Sequence, residues 1–443
     1  MKRGERTMDF LNEYKRKCCS PGEAVAGIPS QSRVLLCSEP AALAEALYEQ
    51  RERFHPLYLY SMMGIANPHI YQRLYSDGAE ENFSVGISYM TKPEAQAIKR
   101  GIKIDHLLTH FSKIEEMFRE RIRPDYVLCH VSPMDEEGYL YMGICPGPGR
   151  VSIDSGAKVI LQVNRNLPMI NTDFNRIHIS EAEALCEMDT VLAEIPDMVP
   201  TELEKKMAQH IVERIDDGSV IQLGVGGVPS AVGNFLEHHR HLGIHTEVFT
   251  DVMRVLMEKG VVDNSQKQIR PGQSVAGFLQ GTRDTYKFVH ENKELYFERL
   301  SWVNHPETIA QNDNMISINS CMAVDLRGQV CSECIGLDTY AGSGGQLDFV
   351  RGVRGSKGGK SFIAMRSSLE KADGTSISKI TLTLPPGSAV TTPRNDTHFI
   401  VTEYGVAEMR NRTLSEKAKA LIAIAHPRFR EELTYQAKKQ LII

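Results

Sequence analysis

A glutamate in an apolar setting is the first residue of this chain that suggests chemistry. Glu247 lies in segment 241–251, which is predicted to form a short strand followed by a helix that runs to Gly260. A solvated carboxylate is not expected beside an apolar strand, so Glu247 is either paired as a structural group or kept for chemistry. A carboxylate can act as a covalent nucleophile when a nearby oxyanion hole stabilises the transition state. The residue alone leaves both interpretations open, and the structural one is the commoner.

A glycine-rich turn, GVGGVPS at 224–230, follows the predicted strand 220–223. Pro229 is predicted to open a helix after this turn. Glycines let the backbone approach a ligand, and a helix N-terminus adds N–H donors and partial positive charge. The turn therefore suits a phosphate or an oxyanion, although a tight strand-to-helix connection explains it equally well. It is not the dinucleotide fingerprint, because no GxGxxG reads through Pro229 and Ser230.

A third stretch, GSGGQ at 342–346 and GGKS at 358–361, combines glycines with several basic side chains. Positive charge on a flexible backbone fits the phosphates of a large cofactor, and it also fits a solvated basic loop. The spacing is not that of a P-loop, because GGKS lacks the first glycine at the required distance. The Cys331–Cys334 pair and the histidines at 238–245 have no second set of ligands at metal spacing. We therefore predict no metal site.

The composition excludes several classes of protein. The 443 residues carry a net charge of -5, which argues against nucleic acid as a main partner. No apolar run approaches the ~18 residues of a membrane span, and the N-terminus has no apolar signal core. Nine cysteines in so long a chain do not indicate a disulfide scaffold. These features predict a soluble cytoplasmic protein.

Prolines at 196 and 200 predict a boundary near 197, hence an N-terminal domain at 1–197 and a C-terminal domain at 198–443. Both halves alternate apolar strands with amphipathic helices, which favours an α/β fold with mostly parallel sheets. The predicted strands are 33–37, 57–60, 126–130, 159–163, 220–223, 248–250, 315–318, 361–365 and 399–402. The predicted helices are 41–50, 114–121, 202–215, 413–425 and 427–439.

Taken together, these segments resemble the acetyl-CoA hydrolase/transferase family, which includes 4-hydroxybutyrate and butyrate CoA-transferases. Eight motifs occur in order, and any one alone would be weak evidence. They are HVSPMDEEGYLYMG at 130–143, GVGGVPSAV at 224–232, GIHTEVFTD at 243–251, NDNMISINS at 312–320, AGSGGQLDFVRG at 341–352, SKGGKS at 356–361, TEYGVAEMR at 402–410 and AIAHPRFREEL at 423–433. The resemblance covers most of the chain and is strongest from 220 onward.

The resemblance implies two similar open, mostly parallel-sheet domains and CoA transfer through a covalent glutamyl-CoA thioester. Its nucleophilic glutamate corresponds to Glu247. The residues that contact CoA or build the oxyanion hole correspond to Gly226, Gly227, Val228, Pro229 and Ser230, with a further backbone donor at Gly344 or Gly345. Asn319 and Lys360 match positions near the CoA site. CoA is then a substrate rather than a tightly bound cofactor, and the partners are an acyl-CoA, a short carboxylic acid and a second copy in a homodimer.

Departures from the family pattern leave the substrate open. Ser230 stands where the family often has Asp, Val252 where it has Gly, and Met365-Arg366 where Leu-Pro is usual. Acetate, butyrate and 4-hydroxybutyrate are the candidate acids. The alternative function in the same family is an acyl-CoA hydrolase, in which water attacks the glutamyl thioester. Two other classes are a non-catalytic CoA-binding protein and a dinucleotide-dependent oxidoreductase. A desolvated carboxylate argues against the first and the missing fingerprint against the second.

Overall fold

The structure, a computed structural model, describes residues 3–63, 68–76 and 78–443. The chain forms two compact units. The first consists of Met1–Ile195 together with Gly277–Trp302, and the second of Pro196–Ala276 together with Val303–Ile443. No helix in the described part of the chain is long and apolar enough to cross a membrane.

Helices and strands alternate along both units. The helices are α1 (Arg3–Lys17), α2 (Pro21–Ala26), α3 (Ala41–Glu49), α4 (Pro68–Leu74), α5 (Lys92–Lys99), α6 (Ile114–Met117), α7 (Gly149–Asp154), α8 (Glu202–Val212), α9 (Gly227–Phe235), α10 (Asp251–Glu258), α11 (Arg283–Val289), α12 (Leu300–Val303), α13 (Pro306–Ile309), α14 (Gln346–Gly355), α15 (Leu414–Ile424) and α16 (Pro427–Lys439). The strands up to residue 195 are β1 (Arg33–Cys37), β2 (Leu57–Met63), β3 (Phe83–Tyr89), β4 (Ile104–His106), β5 (Tyr126–Val131), β6 (Tyr139–Tyr141), β7 (Lys158–Val163), β8 (Arg176–His178) and β9 (Ala182–Glu187). The later strands are β10 (Val220–Leu223), β11 (Gly243–Phe249), β12 (Ser274–Leu279), β13 (Leu295–Phe297), β14 (Met315–Ser320), β15 (Ala323–Asp325), β16 (Val330–Cys331), β17 (Cys334–Ile335), β18 (Asp338–Thr339), β19 (Lys360–Ala364), β20 (Ser368–Glu370), β21 (Ser376–Ser378), β22 (Ile380–Thr381), β23 (Phe399–Thr402) and β24 (Gly405–Glu408).

The first unit is built on a seven-stranded parallel sheet in the order β4-β3-β2-β1-β5-β7-β9. Its central strands are continuous apolar runs; Val34 to Cys37 of β1 and Val127 to Val131 of β5 are buried throughout. Such runs are typical of parallel strands, because helices cover both faces of the sheet. The predicted strands of this half are confirmed, with bounds extended by a few residues.

The second unit repeats the plan. Neighbouring strands run in the order β11-β10-β14-β19-β23, all parallel, and β24 adds an antiparallel strand beyond β23. Parallel strands leave all their carboxyl ends on one edge, where the loops into the following helices can form a binding crevice. The fold prediction of two open, mostly parallel α/β sheets is therefore confirmed.

The division into units differs from the predicted one in one segment. Its boundary at 195/196 lies close to the predicted 197, but Gly277–Trp302 belongs to the first unit rather than to the C-terminal domain. The reason is long-range hydrogen bonding. The Leu279 and Phe297 amides donate to the carbonyls of Ile144 and Asn171, at 2.8 and 2.9 Å. No local pattern in the sequence reports such pairings.

Two local features also differ from the predictions. Helix α9 begins at Gly227 and not at Pro229, so the proline occupies the third helical position. The predicted helix 114–121 is split into α6 and a π-helix over Phe118–Ile122. Both differences concern how a helix begins or winds, which side-chain periodicity describes poorly.

Candidate active site

Glu247 lies on β11, two residues before the end of the strand. Its side chain is partly buried, and the neighbouring His245, Thr246 and Val248 are buried. Strand β11 pairs with β10 in parallel, which places Glu247 toward the same edge of the sheet as the glycine turn after β10.

The Glu247 carboxylate is held by two hydrogen-bond donors. The side-chain amide Nδ2 of Asn304 donates to Oε2 over 2.6 Å, and the backbone N–H of Gly345 also donates to the carboxylate. Gly345 is the N-cap residue of α14, a ten-residue helix. The positive end of that helix therefore faces a negatively charged group, which is the favourable arrangement.

Because Gly345 has no side chain, the Glu247 carboxylate can occupy the space beside its Cα atom. A Cβ built on this residue would overlap both Oε2 of Glu247 and Nδ2 of Asn304. The backbone angle φ of Gly345 is -101°, an ordinary value, so close approach and not backbone conformation requires glycine here.

Burial raises the pKa of Glu247 to about 7. The charge of Asp348, a buried residue in the first turn of α14, raises this pKa further, whereas the hydrogen bonds from Asn304 and Gly345 lower it. The carboxylate is then about half ionised at neutral pH. A group with this pKa can serve as a nucleophile at neutral pH without being fully hydrated.

His245 helps to position Asn304. Its Nε2 lies 2.8 Å from the carbonyl oxygen of Val303 and so donates to it, directly before Asn304 in the chain. Burial lowers the pKa of His245 to about 3, and the charge of Lys267 lowers it too. The ring is therefore neutral, and His245 acts as a structural donor and not as an acid or base at neutral pH.

The glycine turn joins β10 to the N-terminus of α9. Gly226, with φ 137°, is the N-cap residue, and Val228, Pro229 and Ser230 are buried in the first turn. The hydroxyl of Ser230 donates to the Gly226 carbonyl over 3.0 Å, so the side chain is engaged within its own helix. The N–H groups of the first helical turn have no partner within a helix, which leaves Gly227 and Val228 as candidate donors.

One face of Gly227 is closed by Glu204. A Cβ on Gly227 would lie 2.5 Å from the carboxylate carbon of Glu204, which caps α8 together with Thr201. Arg366 donates to Glu204 from 3.2 Å. Packing against Glu204 is thus a second reason for a glycine at this position.

The structure brings Asn319 to the glycine turn but separates Lys360 from it. Asn319 exchanges two hydrogen bonds with Gln222, at 3.1 and 3.2 Å, and its Oδ1 would lie 2.7 Å from a Cβ on Gly224. Lys360 begins β19, so it lies at the amino edge of the sheet, about 13 Å along the strand from Ala364. Its Nζ contacts the Arg214 carbonyl at 2.8 Å and Asp216 at 3.1 Å.

The match of Lys360 to a position near the CoA site stays a prediction. Helix α14 runs through the basic stretch 342–361 and carries its two ends to opposite edges of the sheet. Gly345 stands at the N-terminus of this helix beside Glu247, and Lys360 follows its C-terminus.

Asn304 and Asp348 were not predicted from the sequence. Asn304 lies between the short helices α12 and α13 in the segment WVNHPE, where no spacing or composition marks it. The sequence around Asp348 could have indicated its place near the site. A carboxylate in the first turn of a helix that begins at a glycine loop lies near the group that the loop binds.

The cysteine and histidine groups of the second unit occupy structural positions. The Cys331 and Cys334 sulfur atoms are 3.8 Å apart and buried, and the Cys331 thiol lies 3.0 Å from the Cys334 carbonyl. His241 contacts Asp263 at 2.7 Å. Across residues 3–63, 68–76 and 78–443, no three His, Cys, Asp or Glu side chains are grouped so as to hold a metal ion. The absence of a metal requirement stays a prediction.

Comparison with known proteins identifies relatives along the whole chain. The family model for the acetyl-CoA hydrolase/transferase N-terminal domain matches residues 1–209, and that for the C-terminal domain matches 281–437. A 4-hydroxybutyrate coenzyme A transferase of Clostridium kluyveri is 37% identical over 98% of this chain and 100% of the relative. A succinyl-CoA:cyclohexane-1-carboxylate CoA transferase of Geobacter metallireducens is 37% identical over 97% of each.

Solved structures agree with this result. RipA from Yersinia pestis superposes with a TM-score of 0.92 at 33% identity, covering 98% of this chain and 100% of that one. A 4-hydroxybutyrate CoA-transferase from Porphyromonas gingivalis superposes with a TM-score of 0.80 at 32% identity, covering 97% and 100%.

Proposed function

Because the chain belongs to the acetyl-CoA hydrolase/transferase family, we propose that it transfers coenzyme A from a short-chain acyl-CoA to a carboxylic acid through a covalent intermediate on Glu247. The observation that carries this proposal is the setting of Glu247: a partly buried carboxylate with a pKa of about 7, held by Asn304 and by the N-terminus of α14. A residue kept only for structure gains little from such desolvation.

The reaction consists of four acyl-transfer steps that balance without an external oxidant or metal. The ionised Glu247 attacks the thioester carbonyl of the acyl-CoA, and CoA leaves as a thiolate, which gives a mixed anhydride. The thiolate attacks the glutamyl carbonyl, so the first carboxylic acid leaves as its anion and a glutamyl-CoA thioester remains. The second acid attacks this thioester and displaces CoA thiolate, and the thiolate then attacks the new acyl carbonyl, which restores Glu247.

The residues of the site contribute electrostatics and positioning. A carboxylate is a weak nucleophile, so stabilisation of each tetrahedral oxyanion must lower most of the barrier. Removal of one donor from an oxyanion hole typically costs about 3 kcal/mol. We assign such donors to the backbone of Gly227 and Val228 at α9 and of Gly345 at α14. Binding of the distant part of CoA offsets distortion at the reacting carbonyl.

We propose acetate, butyrate or 4-hydroxybutyrate as the acid. The Clostridium kluyveri relative supports 4-hydroxybutyrate, whereas the Geobacter metallireducens relative, named for a cyclic acid, shows that relatives of equal identity differ in substrate. Transfer rates measured for a panel of acyl-CoA donors with a panel of carboxylic acid acceptors would therefore identify the donor and the acceptor that this enzyme uses. The proposal also includes a homodimer, which light scattering on the purified protein tests directly.

The test of the covalent step is interception of the intermediate. After incubation with acyl-CoA alone, borohydride should reduce the glutamyl thioester and inactivate the enzyme, and peptide mass spectrometry should find the reduced residue at 247. Inactivation without prior acyl-CoA, or modification elsewhere, would contradict Glu247 as the nucleophile. The hydrolase alternative predicts thiol release at an undiminished rate when no acceptor acid is present.

A further inference from the structure

An ion pair lies directly behind the glycine turn of the second unit. The carboxylate of Glu204, in the first turn of α8, contacts the backbone of Gly227 so closely that a Cβ built there would lie 2.7 and 2.6 Å from its two oxygens. Nη2 of Arg366 donates to Oε1 of this carboxylate over 3.2 Å. The Glu204 side chain is only 13% exposed and that of Arg366 is 45% exposed. The negative member of the pair is therefore the sheltered one.

Hydrogen bonds keep Glu204 ionised. Its Oε2 accepts the N–H and the hydroxyl of Thr201 over 2.7 and 2.8 Å, which closes the capping box of α8. Burial raises the pKa of the Glu204 carboxyl, but the hydrogen bonds from Thr201 and Arg366 hold it below its ordinary value. In the described part of the chain, Arg366 is the only cation that forms an ion pair with this carboxylate.

The backbone next to Arg366 is fixed at the carboxyl edge of the sheet. Arg366 lies two residues after the end of β19. The following residue, Ser367, donates its N–H and its hydroxyl to Glu403 over 2.9 and 2.5 Å, and its carbonyl accepts the amide of Lys379 over 2.9 Å. Both backbone groups of Ser367 are therefore bonded. The guanidinium thus starts from a defined place when it reaches Glu204.

A lone carboxylate behind this turn would oppose the proposed chemistry. Helix α9 is nine residues long, and the N–H groups of Gly227 and Val228 in its first turn are the donors assigned above to the tetrahedral oxyanion. Negative charge on Glu204 repels the negative charge that develops there, and partial burial weakens screening by water. A guanidinium bonded to the carboxylate leaves the pair without net charge, so the repulsion is largely cancelled.

We propose that Arg366 is a positioning residue of the transfer reaction, which neutralises Glu204 and fixes its carboxylate against Gly227 so that the oxyanion donors of α9 meet no opposing charge. This role rests on the proposed function, because it concerns the oxyanion of that reaction. Arg366 stands where the family usually has proline, so the ion pair distinguishes this chain from the family pattern.

A double-mutant cycle tests this role. Arg366→Gln should lower kcat about tenfold and leave the KM for acyl-CoA within about twofold, because the uncompensated Glu204 raises the barrier without touching the ligand. The double variant Arg366→Gln/Glu204→Gln should recover kcat to within about threefold of the wild type, since glutamine fills the same space and still caps α8. Arg366→Lys, which keeps the charge, should lose less activity than Arg366→Gln.

Arg412→Gln is the matched control. Arg412 belongs to the same unit, is 46% exposed and pairs with Glu408 at 3.0 Å, so its exposure and its ion pair resemble those of Arg366. Its variant should turn over as the wild type does. Ion pairs this exposed contribute little to stability, so the melting temperatures of all these variants should lie close together.

Recovery of kcat by the second substitution supports the role, because only a charge effect is reversed by removing the opposite charge. Three results would overturn it: an unchanged kcat in Arg366→Gln, a double variant as slow as Arg366→Gln, or a raised KM that persists in the double variant and so shows direct contact with the ligand. All of these are measured against an active wild type. A wild type that transfers no CoA between any donor and acceptor would instead contradict the proposed function, and this role with it.

Discussion

Nδ2 of Asn304 lies 2.6 Å from Oε2 of Glu247, although the two residues are 57 positions apart in the chain. The same carboxylate accepts the backbone N–H of Gly345. One side of the carboxylate is therefore held by a side chain from the α12–α13 connection and by the start of α14. Even with both donors, burial keeps the pKa of Glu247 near 7, so desolvation outweighs hydrogen bonding at this residue.

Replacement of Glu247 by Gln should abolish CoA transfer, lowering kcat/KM by roughly a thousandfold or more, because the neutral amide cannot attack the thioester. CoA binding, measured by calorimetry, should survive because the side-chain volume is nearly unchanged. Glu213→Gln, which alters an exposed glutamate of the same unit, serves as the control. Substantial transfer by the Glu247→Gln protein would remove this residue from the mechanism.

The activity should rise with pH through about 7. The attacking species is the carboxylate, and the raised pKa of Glu247 means that its ionised fraction increases across this range. We expect the acidic limb of kcat/KM to have a midpoint near 7 and to fall about tenfold per pH unit well below it. A midpoint near 4.5, the ordinary value for a glutamate, would show that the carboxylate is fully solvated in the working enzyme.

The same pKa predicts a change in stability. The folded chain binds the Glu247 proton more tightly than the unfolded chain does, so ionisation destabilises the fold as pH rises from 4.5 to about 7. Glu247→Gln removes this penalty. The difference in free energy of unfolding between variant and wild type should grow in favour of the variant by about 2–3 kcal/mol between pH 4.5 and 8. A difference that does not depend on pH would contradict the raised pKa.

Asn304→Ala should lower kcat/KM at pH 7 by roughly ten- to a hundredfold and move the acidic limb to higher pH. The lost hydrogen bond favours the ionised carboxylate, so its removal raises the pKa of Glu247 further. Asn292→Ala, at an asparagine whose side chain hydrogen-bonds the backbone of Phe288 and Glu294, is the matched control. If Asn304 only supports the fold, its variant should melt at a lower temperature with an unmoved pH midpoint.

Gly345→Ala should inactivate the enzyme, because the added Cβ would overlap the Glu247 carboxylate and the Asn304 amide. We expect kcat/KM to fall about a hundredfold or more, as for a displaced oxyanion donor. Gly27→Ala is a suitable comparison, since a Cβ there meets nothing within 4 Å and its φ is -79°. Normal turnover by the Gly345→Ala protein would show that the site relaxes without loss.

Gly227→Val should reduce both stability and activity. Its Cβ would displace Glu204, and the helix N-terminus that offers the N–H donors would shift with it. Glu204→Gln retains the space at Gly227 while weakening the contact with Arg366, so it isolates the structural contribution. Melting temperature and kcat/KM, measured on the same preparations, should show activity per folded molecule reduced about a hundredfold only in the Gly227 variant. Intact turnover per folded molecule would limit the role of the turn to structure.

The sequence alone determined the class of fold and the position of the proposed nucleophile. Apolar runs such as 126–130 and 159–163 indicate strands that are covered on both faces. The sequence shows this because the apolar residues of each run are consecutive in the chain. The motif around Glu247 and the glycine turn after β10 are likewise continuous in the chain. The position of Lys360 at the amino edge of the sheet could also be predicted, since a residue that directly precedes a predicted strand must lie at the amino end of that strand.

Only the tertiary structure decided what surrounds the carboxylate. Asn304 reaches Glu247 because His245 holds the preceding carbonyl, and Gly277–Trp302 joins the first unit through hydrogen bonds to Ile144 and Asn171. Each of these contacts joins segments tens of residues or more apart, and its partners carry no periodicity or spacing that marks them. Periodicity records whether a side chain is buried, whereas the pKa of Glu247 depends on which particular groups are buried with it, and that follows only from the packing of the whole unit.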